Sequence, residues 1–122
     1  MGVTLRSDKP TVVAVLQTTL MKTPTVTDGG MAHNEPDGTV AGVHSLAVMP
    51  EYRSQGIGSR LLLRYIELLP TEHPHVKRVA LLAHSHIAPF YEKLNFENRG
   101  TSACQFGGER WMDLVYTLPE KS

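Results

Sequence analysis

Two patterns of apolar and polar positions occur along the chain, one typical of strands and the other typical of helices. Residues 11–20 (TVVAVLQTTL) and 39–49 (TVAGVHSLAVM) are rich in β-branched residues and predict two strands. The polar stretch 21–38 between them carries the glycines and prolines of turns, and a loop of this length in a compact domain is usually functional or disordered. Pro50 is expected to end the second strand, because proline cannot donate a ladder hydrogen bond.

From Ile57 onwards the apolar residues recur every three or four positions, which is the spacing of one helix face. The prolines at 70 and 74 are expected to end this helix. Residues 76–83 (VKRVALLA) predict a third strand that is apolar enough to be central in a sheet.

The last third of the chain predicts a short helix and two further strands. The helix covers 87–94, with Pro89 in its first turn and Asn95 as a left-handed stop after it. Residues 96–100 and 110–118 complete the sheet. The predicted order is β-β-α-β-α-β-β, a mixed α/β architecture in a single domain spanning residues 1–122.

Charge and composition exclude several classes of function. Twelve basic and twelve acidic residues give a formal net charge of zero, which argues against nucleic acid or an anionic membrane as the main partner. We expect no membrane span and no signal peptide, because no apolar run has the required length or flanks. Cys104 is the single cysteine, so an intrachain disulfide is excluded. A reducing compartment, the cytoplasm or the nucleus, is expected, and the cytoplasm is preferred.

The segment with the clearest chemistry is 44–59 (HSLAVMPEYRSQGIGS), where a strand leads through a short loop into the first helix. A first helical turn has unpaired N–H donors and a partial positive charge, so it binds anions readily. Gly56 and Gly58 leave room for a phosphate close to the backbone. Arg53 can add a charge-assisted contact.

Two other interpretations fit part of this segment. Glycines at a loop–helix junction are often turn residues and nothing more. The spacing also resembles a dinucleotide-binding fingerprint, but Leu61 occupies the place of the third glycine and no acidic ribose partner is evident downstream. The complete string is more specific than either: a strand ending in Val-x-Pro, then Arg-x-x-Gly-x-Gly, then a helix.

This string resembles the acyl-CoA signature of the GNAT N-acetyltransferase superfamily, and residues 88–96 (APFYEKLNF) resemble a second stretch of the same superfamily. Within it the chain is most similar to the arylalkylamine (serotonin) N-acetyltransferases and their fungal polyamine-acetylating relatives. Those proteins share an H-x-LAV strand, an RYI helix and a cysteine after the second stretch, here His44, residues 64–66 and Cys104. The resemblance covers about residues 11–118.

The chain departs from the family in three places. Asn95 replaces the usual glycine, which asparagine can do because it tolerates positive φ. Gly42 stands where the family often has a second histidine on the same strand. A strand and helices that help to form the amine pocket at the N-terminus of the family are expected to be missing.

The resemblance implies an N-acetyltransferase that moves an acetyl group from acetyl-CoA to a small primary amine, an arylalkylamine or a polyamine. Such amines arrive protonated, with a pKa of about 10. His44 is suited to remove that proton because imidazole titrates near neutrality. Tyr91 is the implied acid for the leaving thiolate. Main-chain N–H groups of Leu46–Val48 are the implied donors to the thioester oxygen.

Further residues are expected around these. The expected acetyl-CoA contacts are Leu46, Ala47, Val48, Arg53, Ser54, Gln55, Gly56, Ile57, Gly58 and Ser59. Trp111 is expected to contact the amine, although a core tryptophan fits its strand equally well. No metal is expected, because His73, His75, His84 and His86 lack acidic or thiolate partners at ligand spacing.

Two alternatives stay open at this stage. The chain can be a CoA-binding module with little turnover, acting through binding or together with another subunit. It can also acetylate a protein or peptide, because substrate choice depends on loops. A homodimer is compatible with either, and the sequence does not select the particular amine.

Overall fold

A computed structural model describes residues 2–6, 12–23, 25–27, 34–52 and 55–119. They form one six-stranded mixed sheet in the order β1-β2-β3-β4-β6-β5, with two α-helices. The α/β architecture agrees with the prediction. The elements are β1 (Gly2–Arg6), β2 (Val12–Met21), β3 (Val40–Val48), α1 (Ile57–Glu72), β4 (Arg78–Ala83), α2 (Ala88–Glu92), β5 (Glu97–Thr101) and β6 (Met112–Thr117).

The sequence pattern missed β1, the edge strand. It has five residues and pairs antiparallel with β2, from Gly2↔Gln17 to Arg6↔Val12. So short a segment has too few positions to show a periodicity, and its strand conformation depends on the pairing to β2. Among the residues that the structure describes, the first α-helix is α1.

The predicted end of α1 at Pro70 was wrong. The helix contains Pro70 and runs on to Glu72, and the N–H of His73 donates to the Leu69 carbonyl over 2.8 Å. Proline costs a helix one backbone hydrogen bond. Here the loss falls in the last turn, where burial of Leu69 against the sheet holds the backbone in place.

The sheet buries apolar side chains on both faces. On the face covered by α1, which we call the helix face, Leu61, Leu62 and Leu69 pack with Leu16, Val79 and Leu114. On the other side, which we call the opposite face, a smaller cluster contains Met21, Val26, Val40, Ala80 and Val115. Neighbours such as Val79 and Ala80 belong to different clusters because strand side chains alternate.

A gap opens in the middle of the sheet between β3 and β4. These parallel strands pair only from Val40↔Arg78 to Gly42↔Ala80. Beyond that point β3 continues to Val48 on β2, while β4 continues to Ala83 on β6. Among the described residues, the second half of β3 therefore has a sheet neighbour on one side only.

A β-bulge lies at the start of this gap. Gln17 pairs with Ser45 and the next residue, Thr18, pairs with Val43, so His44 is the extra residue on β3. A bulge changes the direction in which a side chain points without ending the strand.

Candidate active site

A cleft of about 610 Å³ opens where the end of β3, the start of α1 and α2 meet. Its size is typical of small-molecule sites. Its lining residues are Leu46, Ala47, Val48, Tyr52, Gly56, Ile57, Gly58, Ser59, Ile87, Phe90 and Tyr91. The structure thus places most of the predicted acetyl-CoA contacts and Tyr91 around one cavity.

The start of α1 leaves its first N–H groups without a capping side chain. Gly56 is the N-cap residue and adopts a left-handed conformation with φ of 74°. Its carbonyl accepts the first helical hydrogen bond, from the N–H of Arg60 at 3.0 Å. The first turn contains no acidic residue. Unpaired donors and the helix dipole together make this end of α1 attractive to an anion.

Gly58 brings the first turn of α1 directly over β3. A Cβ atom built on Gly58 would lie 3.5 Å from Val48 Cγ2 and 3.6 Å from Leu46 Cδ2. A methyl group fits there, but a longer side chain must enter the cleft or displace these two residues. The close approach of helix and strand therefore depends on a small residue at this position.

Tyr91 contributes a protonated hydroxyl to the cleft. Its ring packs edge-on against Phe90 at 5.0 Å and against Phe96 at 5.8 Å between ring centroids. Burial raises the pKa of the Tyr91 hydroxyl above its ordinary value of 10.0. Within the part of the chain that the structure describes, this hydroxyl makes no hydrogen bond. It is available as a donor to a molecule in the cleft.

His44 does not line the cleft. Its Nε2 hydrogen-bonds to the Thr19 hydroxyl, and the side chain is exposed. Thr18, the neighbour of Thr19 on β2, accepts a hydrogen bond from Tyr65 and so points to the helix face. Since neighbouring side chains of a strand alternate, Thr19 points to the opposite face. His44 and Tyr91 therefore lie on different sides of the sheet, next to the gap between β3 and β4.

Trp111 also lies outside the cleft. It is half-buried, and its ring stacks on His84 with 4.2 Å between ring centroids. His84 in turn lies 3.6 Å from the Glu109 carboxylate. One face of the indole is therefore already covered, which leaves less of it for an amine.

Of the remaining predicted cofactor residues, Gln55 is the one that the structure describes, and it is not part of the cleft lining. Gln55 is exposed, and its side-chain amide donates to the Glu51 carbonyl over 3.5 Å. Arg53 and Ser54 lie outside the described residues, so their expected contacts stay predictions.

Three lining residues were not predicted: Tyr52, Ile87 and Phe90. Ile87 and Phe90 are 40% and 42% exposed, unusually open for large apolar side chains. Their spacing of three residues is typical of a core-facing helix side, which is why the pattern did not indicate a site. A usable signal was their proximity to Tyr91 in the sequence.

The histidines show no metal site within the described part of the chain. His84 and His86 stack at 5.6 Å between ring centroids, and His73 meets His75 edge-on at 6.2 Å. The described residues contain no group of three or more histidine, cysteine or acidic side chains placed to hold a metal ion. Of the helices described, none is long and apolar enough to cross a membrane.

Solved structures of acetyltransferases have the same fold. Ribosomal-protein-S18-alanine N-acetyltransferase from Escherichia coli superposes with a TM-score of 0.67 at 19% identity, covering 100% of this chain and 71% of its own. Aminoglycoside 6'-N-acetyltransferase, solved with coenzyme A, superposes with a TM-score of 0.69 at 16% identity, covering 99% and 74%. A GNAT-like decarboxylase with bound isobutyryl-CoA gives 0.72 at 12% identity, covering 95% and 77%. The fold is the GNAT fold.

The sequence places the chain within this class. Residues 12–98 match the acetyltransferase (GNAT) domain family, and the chain belongs to that family. Serotonin N-acetyltransferase of Mesocricetus auratus is 37% identical over 93 residues, which are 76% of this chain and 44% of the relative. The Homo sapiens protein of the same name is 38% identical over 81 residues, which are 66% of this chain and 39% of the relative. The chain spans less than half the length of these curated relatives.

Proposed function

We propose that this protein is an N-acetyltransferase that moves the acetyl group of acetyl-CoA to a small primary amine, an arylalkylamine or a polyamine. The observation that carries the proposal is the cleft, which joins an uncapped helix start, a strand without a second sheet neighbour and the Tyr91 hydroxyl. Family membership and the names of the relatives support the same reaction.

The pyrophosphate of CoA is assigned to the first turn of α1. Main-chain N–H groups from Gly56 to Ser59 have no capping side chain and supply donors, and the helix dipole adds a favourable field. The rest of the cofactor follows the cleft along Leu46–Val48. Ile87 and Phe90, which are open to solvent, give it an apolar wall.

The acetyl group is assigned to the gap between β3 and β4. There the backbone of Leu46–Val48 is paired with β2 on one side, while β4 has diverged on the other. Backbone N–H groups near the thioester oxygen can stabilise the negative charge that develops on it. The same gap lets a group on the opposite face reach the thioester.

Proton transfer is divided between the two sides of the sheet. His44 accepts a proton from the ammonium form of the substrate, and the free amine nitrogen then bonds to the thioester carbonyl carbon. The carbon–sulfur bond breaks, and Tyr91 gives its proton to the departing thiolate. The products are an N-substituted acetamide and CoA. The nitrogen, which is positively charged after it bonds to the carbon, loses its second proton to solvent. Solvent also takes the proton from His44 and returns one to Tyr91.

A second candidate function is CoA binding with little turnover. Gly42 favours it, because the strand then offers a single imidazole at this end of the gap. Acetylation of a protein or peptide is a further outcome to test, since the cleft itself does not select the acceptor.

One experiment distinguishes these functions. Thiol release from acetyl-CoA is measured with tryptamine, phenethylamine, spermidine and a histone-tail peptide, and CoA binding is measured by calorimetry. Turnover with one of the small amines supports the proposal. Turnover with the peptide alone would show that the acceptor is a peptide and not a small amine. CoA binding without any turnover would show that the protein is a CoA-binding module.

A further inference from the structure

The helix that carries Tyr91 gives this side chain little support of its own. α2 has five residues, Ala88–Glu92, and Ala88 is the one among them that is buried. A helix of this length is not stable by itself, so packing against the rest of the protein must hold it. Within the described part of the chain the Tyr91 hydroxyl makes no hydrogen bond. The direction of its O–H group therefore depends on how the ring is packed.

Of the described aromatic rings, those of Phe90 and Phe96 contact the ring of Tyr91, and they differ in how firmly they are held. Phe90 is 42% exposed at the edge of the cleft, whereas Phe96 is 3% exposed and belongs to the core of the helix face. Exposed side chains change rotamer rapidly, and buried ones are confined by their neighbours. The contact with Phe96 is thus the one that can fix the direction of the Tyr91 ring.

A tight turn after α2 brings Phe96 back to Tyr91. Asn95 adopts a left-handed conformation with φ of 71°, and its N–H donates to the Glu92 carbonyl at 3.0 Å. The N–H groups of Leu94 and Phe96 both donate to the Tyr91 carbonyl, at 2.9 Å and 3.2 Å. The main chain therefore holds Phe96 next to Tyr91, and the two rings meet edge-on with 5.8 Å between centroids, a separation at which aromatic pairs attract.

Phe96 is in turn held by the sheet. Its ring centroid lies 5.6 Å from that of Tyr116, which is on β6 and pairs with Val79 of β4. β6 lies between β4 and β5 in the sheet, so it has a hydrogen-bonded neighbour on each side. Three rings in contact, Tyr91, Phe96 and Tyr116, thus connect the hydroxyl in the cleft to an inner strand.

We propose that Phe96 is a positioning residue for the acetyl transfer, because its buried ring holds the Tyr91 phenol in the direction that presents the hydroxyl to the departing thiolate. The inference rests on the proposed function and deepens it. Phe96 does not line the cleft, so it acts through Tyr91 and touches neither substrate. Proton donation requires a donor within hydrogen-bond reach, and a displacement of about 1 Å can lower a rate about 10²-fold.

A double-mutant cycle with Phe96→Leu and Tyr91→Phe tests this role. Phe96→Leu keeps an apolar side chain in the core and removes the ring. It should lower kcat about tenfold, with KM for acetyl-CoA changed by less than about threefold, because the cleft lining itself is intact. In the Tyr91→Phe background the same substitution should lower kcat by less than about twofold, because no hydroxyl remains to be misplaced.

Two outcomes of the cycle overturn the proposal. Wild-type kcat in Phe96→Leu would show that Tyr91 keeps its direction without this ring. An equal fractional loss of kcat in both backgrounds would show that Phe96 supports the fold in general and does not act through Tyr91. Phe96→Met, which fills more of the space without a ring, is measured in the same way, so that the cycle does not depend on the folding of one variant.

Ile66→Val is the matched control. Ile66 is a buried residue of the same core cluster, nine residues along α1 from Ile57 in the cleft lining, or about 13 Å along the helix. Its truncation also weakens core packing and should lower the Tm, but kcat should stay within about twofold of wild type. A tenfold loss of kcat in Ile66→Val would mean that any weakening of the core slows the reaction, which overturns the specific role of Phe96.

A structural arm separates this inference from the proposed function. Crystal structures of wild type and Phe96→Leu are determined with CoA bound. The Tyr91 ring should have one rotamer in the wild type and either a different rotamer or several in the variant. If no amine is acetylated, the proposed function fails, and this comparison still tests the positioning. The same single rotamer in both proteins overturns the positioning whether or not acetylation occurs.

Discussion

Removing the hydroxyl of Tyr91 tests whether the cleft contains a proton donor. Tyr91→Phe keeps the ring and therefore its contacts with Phe90 and Phe96. The hydroxyl has no hydrogen bond to another described residue, so the free energy of unfolding should change by less than about 0.5 kcal/mol. Turnover should fall ~10²-fold, the low end for a positioned acid, which corresponds to about 2.7 kcal/mol in the barrier.

The assay is steady-state thiol release at saturating acetyl-CoA and amine, with thermal unfolding in parallel. Because burial raises the pKa of Tyr91, its proton stays bound through neutral and mildly alkaline pH. The decrease in kcat should therefore be similar between pH 7 and 9. KM for acetyl-CoA should change little, since the proton is needed only when the thiolate leaves.

Tyr65→Phe is the matched control for this prediction. Tyr65 is a second buried tyrosine, but its hydroxyl donates to Thr18 Oγ1 at 3.2 Å inside the core and does not line the cleft. Its removal should cost roughly 1 kcal/mol of stability and leave kcat unchanged. A Tyr91→Phe enzyme with wild-type kcat would show that this hydroxyl has no part in the reaction.

Three further predictions follow from the geometry. Gly58→Ala should bind CoA within a few-fold of wild type, because the added methyl group lies at an ordinary contact distance of 3.5 Å from Val48. Gly58→Glu should lose ~10-fold or more in CoA affinity, because it places a carboxylate at the phosphate site. Calorimetry with CoA checks both variants, and wild-type affinity in the glutamate variant would contradict the site. His44→Gln should remove the acidic limb from the pH profile of kcat/KM, because glutamine cannot accept the amine's proton. If the variant keeps the same acidic limb and the same plateau, the proton leaves by another route. Burial raises the pKa of the Asp113 carboxyl above its ordinary value of 3.8. The folded state therefore binds the carboxyl proton more tightly than the unfolded state does. As a result, the wild type loses stability as pH rises from 3.8 through the raised pKa. Asp113→Asn should therefore gain stability relative to wild type between pH 3.5 and pH 7 in urea unfolding, and a constant difference would contradict the burial argument.

Local features of the chain were predictable from the sequence. The strand, loop and helix of 44–59 follow from composition and periodicity, and they occupy the places predicted for them. Asn95 has the positive φ angle, 71°, that was predicted for it as a left-handed stop after the short helix. Each of these features depends on a few neighbouring residues, so side-chain type and spacing were enough to indicate it.

The arrangement around the reacting groups was decided by tertiary structure. The sequence indicated His44 and Tyr91 but not that they lie on different faces, because the bulge at His44 arises from its pairing with β2. The gap between β3 and β4 arises from which partner each strand keeps beyond Gly42. Among the described residues the buried Oδ1 of Asp113 has no hydrogen-bond partner, which depends on contacts between segments distant in sequence. Strand register and burial are non-local, so no periodicity in a single segment records them.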